Sequence, residues 1–409
     1  MNWKLIRVID VLVGIPLIRL ITLPGSKPRN ARNRGTAAAP HNILLIKFWG
    51  IGNIFMLIPS IQALRNRYPG SRIDFLTLES NREALSTLGL VNSIITIDTG
   101  SVFRFIRTWR SSATALTASG YDLAIDFEQF ARFSALMTFQ SGAQRTIGFA
   151  TRGQHRHHLY TTPIEYNNNK HIRISFLDLA AAAGAESPSA DTPSFSTSHL
   201  LNRSDVLLRH GYGITGDTPL IVMHIGTSDN FCERRWPTRS FAALADMLFS
   251  RFTISLVMTG LPEEAFLVHD AVKIMANASR VIDLGGRLTF IEYCSLIAAA
   301  DLVISADTAA VHIASAFDTP VVGLYGPNTP LLYGPWGRNS RALYASFPCS
   351  PCITNFNSKI ATCRHPDGRG ACMSALDAGA VLDAIESTFS LPDSRRHIQK
   401  MHSSHGQPA

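Results

Sequence analysis

From Asn42 onward, short apolar runs rich in β-branched residues alternate with longer stretches of helical periodicity. Apolar runs of four to six residues match the strands of a parallel sheet, which is covered on both faces and so lacks in–out alternation. The first series comprises 43–47, 73–78, 94–98, 121–127 and 146–149, with helices predicted over 54–68 and 103–119. A second series, 220–224, 253–259, 281–284, 302–305 and 321–325, alternates with helices predicted over 238–250, 262–276, 289–299 and 308–316. A last helix is predicted over 374–388. Alternating strands and helices predict doubly wound α/β sheets, and the fresh start near Pro219 predicts two of them. The Ser-, Pro- and Thr-dense stretch 185–198 marks the junction. The expected organisation is an arm over 1–42, one Rossmann-like domain over 43–198, a second over 199–390, and a disordered tail over 391–409. The strand ends of the two sheets are expected to face a central cleft. Ligands of such sheets bind beyond the carboxyl ends of the strands, so residues just after each strand are the candidates.

Composition narrows the class. A chain of 409 residues with 46% hydrophobic and 17% charged residues can fill two or three cores and is too apolar to be disordered. Six cysteines at this length do not make a disulfide framework and point to a reducing compartment. The net charge of +8 is unevenly spread: residues 1–42 hold seven basic side chains against Asp10 alone. The remaining 367 residues carry 31 basic and 29 acidic side chains, which removes the case for nucleic-acid binding.

Within the arm, residues 3–23 are apolar, but only eight uncharged residues separate Asp10 from Arg19, and Pro16 interrupts them. A membrane span needs about 20 apolar residues, so none is predicted. A secretory signal is the lesser reading, because Asp10 and Arg19 intrude on its apolar core. The favoured expectation is peripheral binding to an anionic membrane surface, helped by the basic stretch Lys27 to Arg34. The alternative is a packing helix followed by a solvated linker.

Three segments after strands carry candidate chemistry. The first strand runs into Lys47-Phe48-Trp49-Gly50-Ile51-Gly52-Asn53, where Gly50 and Gly52 permit close backbone approach to a ligand or simply a tight turn. The second series opens with His224-Ile225-Gly226-Thr227-Ser228 and then Arg234-Arg235-Trp236-Pro237, hydroxyls and guanidinium groups that suit a diphosphate or an ordinary polar loop. In DLVISADTAAVHIASAFDTPVVGLYGPNTPLLYGPW (301–336), Asp307 and Thr308 stand where a helix cap belongs. His312 follows Thr308 by one helical turn, so Asp307, Thr308 and His312 can converge on one ligand.

ILLIKFWGIGNIFMLIPSIQALRNRYPGSRIDFL, HIGTSDNFCERRWPTRSFAALA, VMTGLPEE and VISADTAAVHIASAFDTPVVGLYGP follow the order and spacing of a known family. Over about 43–390 the chain resembles the family-nine glycosyltransferases, the lipopolysaccharide heptosyltransferases and their relatives, of the two-domain GT-B fold. The resemblance implies inverting transfer of a sugar from a nucleotide diphosphate, ADP-heptose in the known cases, to a lipid-linked core oligosaccharide. It further implies no required cofactor or metal and a peripheral position at the cytoplasmic face of the inner membrane. Carried over by position, Thr227 and Ser228 contact the diphosphate and Arg234 binds phosphate. Glu263 or Glu264 holds the donor ribose, and Leu288 packs on the adenine. Asp307, Thr308, Ala309 and His312 form the donor-binding loop and helix start. The family's first loop has Gly-Asp, with the Asp as base; this chain has Gly52-Asn53, and an amide takes up no proton at neutral pH. Either Asn53 positions the acceptor while another carboxylate is the base, or catalysis is lost and the protein binds nucleotide sugar or glycolipid without turnover. Asp126 and Glu128, just after a first-half strand, are the substitutes, with Glu128 preferred.

Cys349, Cys352, Cys363 and Cys372 follow C-x2-C-x10-C-x8-C. Four thiolates suit a structural zinc, although the second pair is widely spaced; free thiols or an occasional disulfide are the alternatives.

Overall fold

The structure, a computed structural model, describes residues 10, 12, 14–21, 39–186, 195–201, 211, 212, 214, 218–227, 229–353, 363 and 365–391. The chain divides into two compact units, Met1–Thr192 and Pro193–Ala409. All of the expected tail after Leu391 lies outside the described residues, as do most of the basic linker and part of the Ser- and Pro-rich junction.

The four central runs of each sheet are covered on both faces, and all the runs pair as parallel strands. In the first unit these are β1 (Asn42–Ile46), β2 (Arg72–Leu78), β3 (Ser93–Ile97), β4 (Leu123–Asp126), β5 (Arg145–Ala150) and β6 (Thr162–Glu165). They form one parallel sheet of order β3-β2-β1-β4-β5-β6, with Leu45 in register between Phe75 and Ile125. The second unit repeats the plan with β7 (Leu220–His224), β8 (Ser255–Gly260), β9 (Val281–Gly285), β10 (Leu302–Ala306), β11 (Val321–Tyr325) and β12 (Ser340–Tyr344). Its sheet runs β12-β11-β10-β7-β8-β9, the same doubly wound topology as the first, so strand order reverses at β1/β4 and again at β7/β10.

Helices of the first unit are α1 (Gly14–Ile21), α2 (Ile51–Met56), α3 (Ile58–Arg67), α4 (Arg82–Leu88), α5 (Val102–Ala118), α6 (Arg132–Gln140) and α7 (Ile172–Ala182). Those of the second are α8 (Thr238–Arg251), α9 (Ala265–Lys273), α10 (Phe290–Ala299), α11 (Ala309–Ala316), α12 (Pro330–Tyr333), α13 (Ala371–Ser374) and α14 (Ala378–Thr388). The helix expected over 54–68 extends back to Ile51 and is broken at Leu57, where Pro59 falls at the second position of α3. The last predicted helix likewise divides in two, because Asp377 caps a new start through bonds from the Gly379 and Ala380 amides.

The arm's helix is a packing helix. Ile18 is buried with Ala135, Leu159 and Tyr160, and a Cβ on Gly14 would lie 2.9 Å from Cβ of Arg132, so only a glycine lets α1 seat this closely on α6. Asp10 anchors the approach: its oxygens accept from the Phe133 amide at 2.8 Å and from Arg132 Nη1 at 3.3 Å. Leu12, Leu20 and Arg19 stay exposed on the other side. Among the described residues no helix is long and apolar enough to cross a membrane.

Candidate active site

In the second unit the loops leaving β7 and β10 are bound to each other. Arg234 Nη1 donates to the Asp307 carbonyl at 2.6 Å and to Asp307 Oδ2 at 3.2 Å, while Nη2 donates to the Thr227 carbonyl at 3.0 Å. A third loop joins through Asn328, after β11, whose Nδ2 donates to Asp307 Oδ2 at 2.8 Å. The guanidinium is therefore first a tie between loops, using the planar fork that only arginine offers.

The Thr227 segment is fixed from the other side by Glu264. Its buried carboxylate accepts the Thr227 amide at 2.8 Å and the Leu261 amide at 3.1 Å. Room for that carboxylate exists because residue 226 is glycine, where a Cβ would sit 1.8 Å from Glu264 Oε2. Of the two adjacent acids, Glu264 turns inward and Glu263 is exposed. With its amide and carbonyl engaged, Thr227 keeps a buried hydroxyl that has no hydrogen-bond partner among the described residues. A buried orphan hydroxyl costs free energy that a bound acceptor oxygen would recover.

Thr308 caps α11, accepting the Ala310 amide at 3.2 Å, and its hydroxyl also meets Ser305 Oγ at 2.9 Å. Ala309 is the first residue of that helix. His312 is buried, stacked on Trp336 with ring centroids 6.1 Å apart. The structure thus brings Thr227, Arg234 and Asp307 together, whereas Asp307, Thr308 and His312 each engage partners of their own. Leu288 is half-buried just after β9, and Ser228 lies outside the described residues. At the end of β7, His224 Nδ1 lies 3.1 Å from Thr259 Oγ1, and burial pulls its pKa down to about 4 against the opposing pull of Glu264.

In the first unit, the loops leaving β1 and β4 meet on the peptides around Trp49. Glu128 Oε1 accepts from Lys47 Nζ at 2.7 Å, from the Phe48 amide at 2.7 Å and from the Trp49 amide at 2.9 Å. Oε2 makes no hydrogen bond among the described residues, and the side chain keeps 5% exposure. On the same residue, Asn53 Nδ2 donates to the Trp49 carbonyl at 3.0 Å, leaving Asn53 Oδ1 buried with no hydrogen-bond partner among the described residues. Gly50 starts α2 at φ +90°, and a Cβ there would lie 2.8 Å from Asn53 Nδ2, so glycine is required twice over. Gly52 is buried at the second position of the helix.

Asp126 does not belong to the site. It has no exposed surface: Oδ1 accepts the Glu128 amide at 2.9 Å, and Oδ2 accepts Ser134, Arg156 and Tyr160 at 2.8, 2.7 and 2.6 Å. Burial pushes its carboxyl pKa up, with Arg156 and Tyr160 opposing, and no oxygen is left for a substrate. Asp126 and Arg156 form the frame beneath Glu128, whose carbonyl Arg156 Nη1 also holds at 2.5 Å.

The sequence reading missed the Lys47–Glu128 pair, the role of Asn328 and that of Arg156. A lysine closing a buried apolar strand was a signal for the first, since buried charges are paired. The four cysteines line one cavity together with Glu233 and Pro327. None of them is joined in a disulfide, and burial pushes Cys372 up to about 11. Among the described residues no group of three or more His, Cys, Asp or Glu could hold a metal ion.

Comparison with known proteins agrees with this architecture. The model of glycosyltransferase family 9 (heptosyltransferase) matches residues 109–360, more than half of the chain. Lipopolysaccharide heptosyltransferase 1 of Salmonella typhimurium is 23% identical over 321 residues, covering 76% of this chain and 94% of the relative. A family 9 glycosyltransferase from Veillonella parvula superposes with a TM-score of 0.68 at 21% identity, covering 85% of this chain and 97% of that one. E. coli heptosyltransferase WaaC with ADP superposes with a TM-score of 0.65 at 20% identity, covering 85% and 99%. With two Rossmann-like units of the GT-B kind and this family match, the chain belongs to glycosyltransferase family 9 and is a glycosyltransferase.

Proposed function

We propose that the protein transfers a heptose-like sugar from an ADP-heptose-like donor, with inversion, to the lipopolysaccharide core or a related envelope glycan. The observation that carries this reading is the tie of Arg234 to Thr227 and Asp307 beside a buried, unpartnered hydroxyl. In support, similar relatives are lipopolysaccharide heptosyltransferases, and one structural neighbour is E. coli heptosyltransferase WaaC with ADP. The Thr227 hydroxyl, the Arg234 guanidinium and the peptide N–H groups opening α11 would hold the diphosphate and stabilise the charge that develops as the glycosidic bond breaks. Glu263 or Glu264 would lie by the ribose and Leu288 by the adenine. The Glu264 carboxylate already serves the loop, so its part is to position Thr227.

In the transfer step the acceptor oxygen attacks the anomeric carbon, the bond to the diphosphate breaks, and ADP departs. The hydroxyl proton passes to Glu128 Oε2, the oxygen not already bonded. Asn53 Oδ1 accepts a hydrogen bond from the acceptor and orients it. No metal takes part in this chemistry; a zinc on the four cysteines would be structural.

The enzyme works at the cytoplasmic face of the inner membrane, against anionic lipid. In support, the amino-terminal half of α5 exposes Val102, Phe103, Ile106 and Trp109 among Arg104, Arg107 and Arg110. Both α5 and α1 pack on α6, so the exposed face of α1 belongs to the same helical layer. Each arginine near an anionic surface adds about 1 kcal/mol. Vesicle flotation should recover the protein with anionic and not with neutral lipid.

The main test is a transfer assay with ADP-heptose and cell-envelope glycolipid acceptors, read by mass spectrometry of the product. Donor binding by calorimetry without turnover on any acceptor would refute the enzymatic reading.

A further inference from the structure

Lys47, the residue after β1, carries its ammonium into the interior of the first unit on a side chain that is 1% exposed. A buried charge is costly unless it is paired, and the partner here is Glu128 Oε1 at 2.7 Å. Buried pairs of this kind are often replaced by apolar side chains with no loss of stability, so stability alone gives no reason for this one.

The peptides around the pair are all engaged. The Lys47 amide donates to the Leu76 carbonyl at 3.1 Å. Thr77 Oγ1 donates to the Lys47 carbonyl at 2.6 Å, Asn81 Nδ2 to the Phe48 carbonyl at 2.7 Å, and Asn53 Nδ2 to the Trp49 carbonyl at 3.0 Å. The Phe48 and Trp49 amides join the ammonium on Glu128 Oε1. Glu128 is held from behind as well, its amide by Asp126 and its carbonyl by Arg156. Among the described residues, every polar atom of Glu128 except Oε2 is thereby in use. Bonds divided between the two carboxylate oxygens would tie the loops as firmly. Gathering all three on Oε1 fixes the carboxylate in one orientation and spares Oε2.

We propose that Lys47 is a positioning residue for sugar transfer: its ammonium, with the Phe48 and Trp49 amides, holds Glu128 by Oε1 so that Oε2 meets the acceptor hydroxyl. This rests on the reading of Glu128 as the base given above. In the step, the acceptor O–H bond breaks as an O–H bond forms on Oε2, and the acceptor oxygen bonds to the anomeric carbon. The electron pair of the broken glycosidic bond leaves with the diphosphate. Lys47 keeps its three protons throughout and acts only through its hold on Oε1. Once Oε2 carries the proton, the buried ammonium lacks its counter-charge, which drives that proton on to solvent before the next turnover.

Steady-state transfer from ADP-heptose to cell-envelope glycolipid is measured for the native chain, Lys47→Met, Glu128→Gln and the double variant, with ADP binding read by calorimetry on each preparation. Methionine fills the place of the lysine stem without its charge. Lys47→Met should lower kcat about tenfold or more, with KM for ADP-heptose and ADP affinity within about twofold of native, since the donor loops belong to the other unit. The double variant should match Glu128→Gln alone within about twofold, because nothing is left to position. Native kcat in Lys47→Met overturns the proposal, and so does a comparable loss of ADP affinity. A double variant about tenfold or more below Glu128→Gln also overturns it, since Lys47 would then act apart from Glu128. Should Lys47→Met fail to fold with Glu128 unpaired, the double variant, which removes both charges, still decides. If Glu128→Gln keeps native kcat, the base reading fails and the role of Lys47 with it. A loss of about 100-fold there, beside an unaffected Lys47→Met, leaves the base standing and removes the positioning role alone.

Discussion

Replacing Arg234 with lysine keeps the charge and removes the fork. In the native site three contacts from the guanidinium, at 2.6, 3.0 and 3.2 Å, hold Asp307 and the Thr227 carbonyl together. An ammonium is a point donor and cannot span both loops from one position. At least one carbonyl on the buried Thr227 or Asp307 then loses its charged partner, at a cost of about 1.5–3 kcal/mol. For a unit of this size each kcal/mol shifts the melting temperature by about 2–4 °C, so Arg234→Lys should melt about 3–12 °C lower. The loosened loops should also weaken ADP at least tenfold, about 1.4 kcal/mol. Thermal unfolding and calorimetry on the same preparation read both effects. If the variant melts within about 1 °C of the native protein and binds ADP equally well, the guanidinium is not the tie described here.

Glu128→Gln should lower kcat by about 100-fold or more, the usual contribution of a positioned base, while ADP affinity stays unchanged. Turnover retained at the native level would exclude Glu128 as the proton acceptor. Gly226→Ala places a carbon 1.8 Å from Glu264 Oε2, so the carboxylate must leave the Thr227 and Leu261 amides; a loss of at least about 2 kcal/mol in urea unfolding is expected. His224 titrates near 4 in the folded chain and near 6.5 when unfolded. As pH falls through that window only the unfolded chain takes the proton, so stability falls by up to about 3 kcal/mol. This loss begins below about pH 6.5 and is complete near pH 4. His224→Gln should flatten the slope relative to the native protein in urea titrations between pH 7 and 5.

The eight central strands were legible because a strand covered on both faces must be apolar throughout, and the edge strands β3 and β9 were apolar enough to stand out with them. The two strands missed, β6 and β12, are the other two edge strands, where burial is incomplete and the signal is diluted by Pro163 in one and Arg341 in the other. Helix α6 escaped notice because it packs against α1 and α5 as well as the sheet, so its apolar residues do not gather on one stripe. The loops that carry the site were visible from the glycines and hydroxyls after strands. Their long-range bonds were not: Lys47 meets Glu128 across 81 positions, and Arg234 meets Asp307 across 73. Local pattern could not separate Glu263 from Glu264, since the choice is made by the missing side chain at Gly226. Nor could it separate Glu128 from Asp126, which the buried Arg156 and Tyr160 claim for the frame.

A crystal structure of the protein soaked with ADP tests the donor site most directly. The pyrophosphate should lie within hydrogen-bond distance of Thr227 Oγ1 and of the peptide N–H groups that open α11. Nucleotide bound elsewhere on the chain, with the Thr227 hydroxyl still unpartnered, would contradict the assignment of this site.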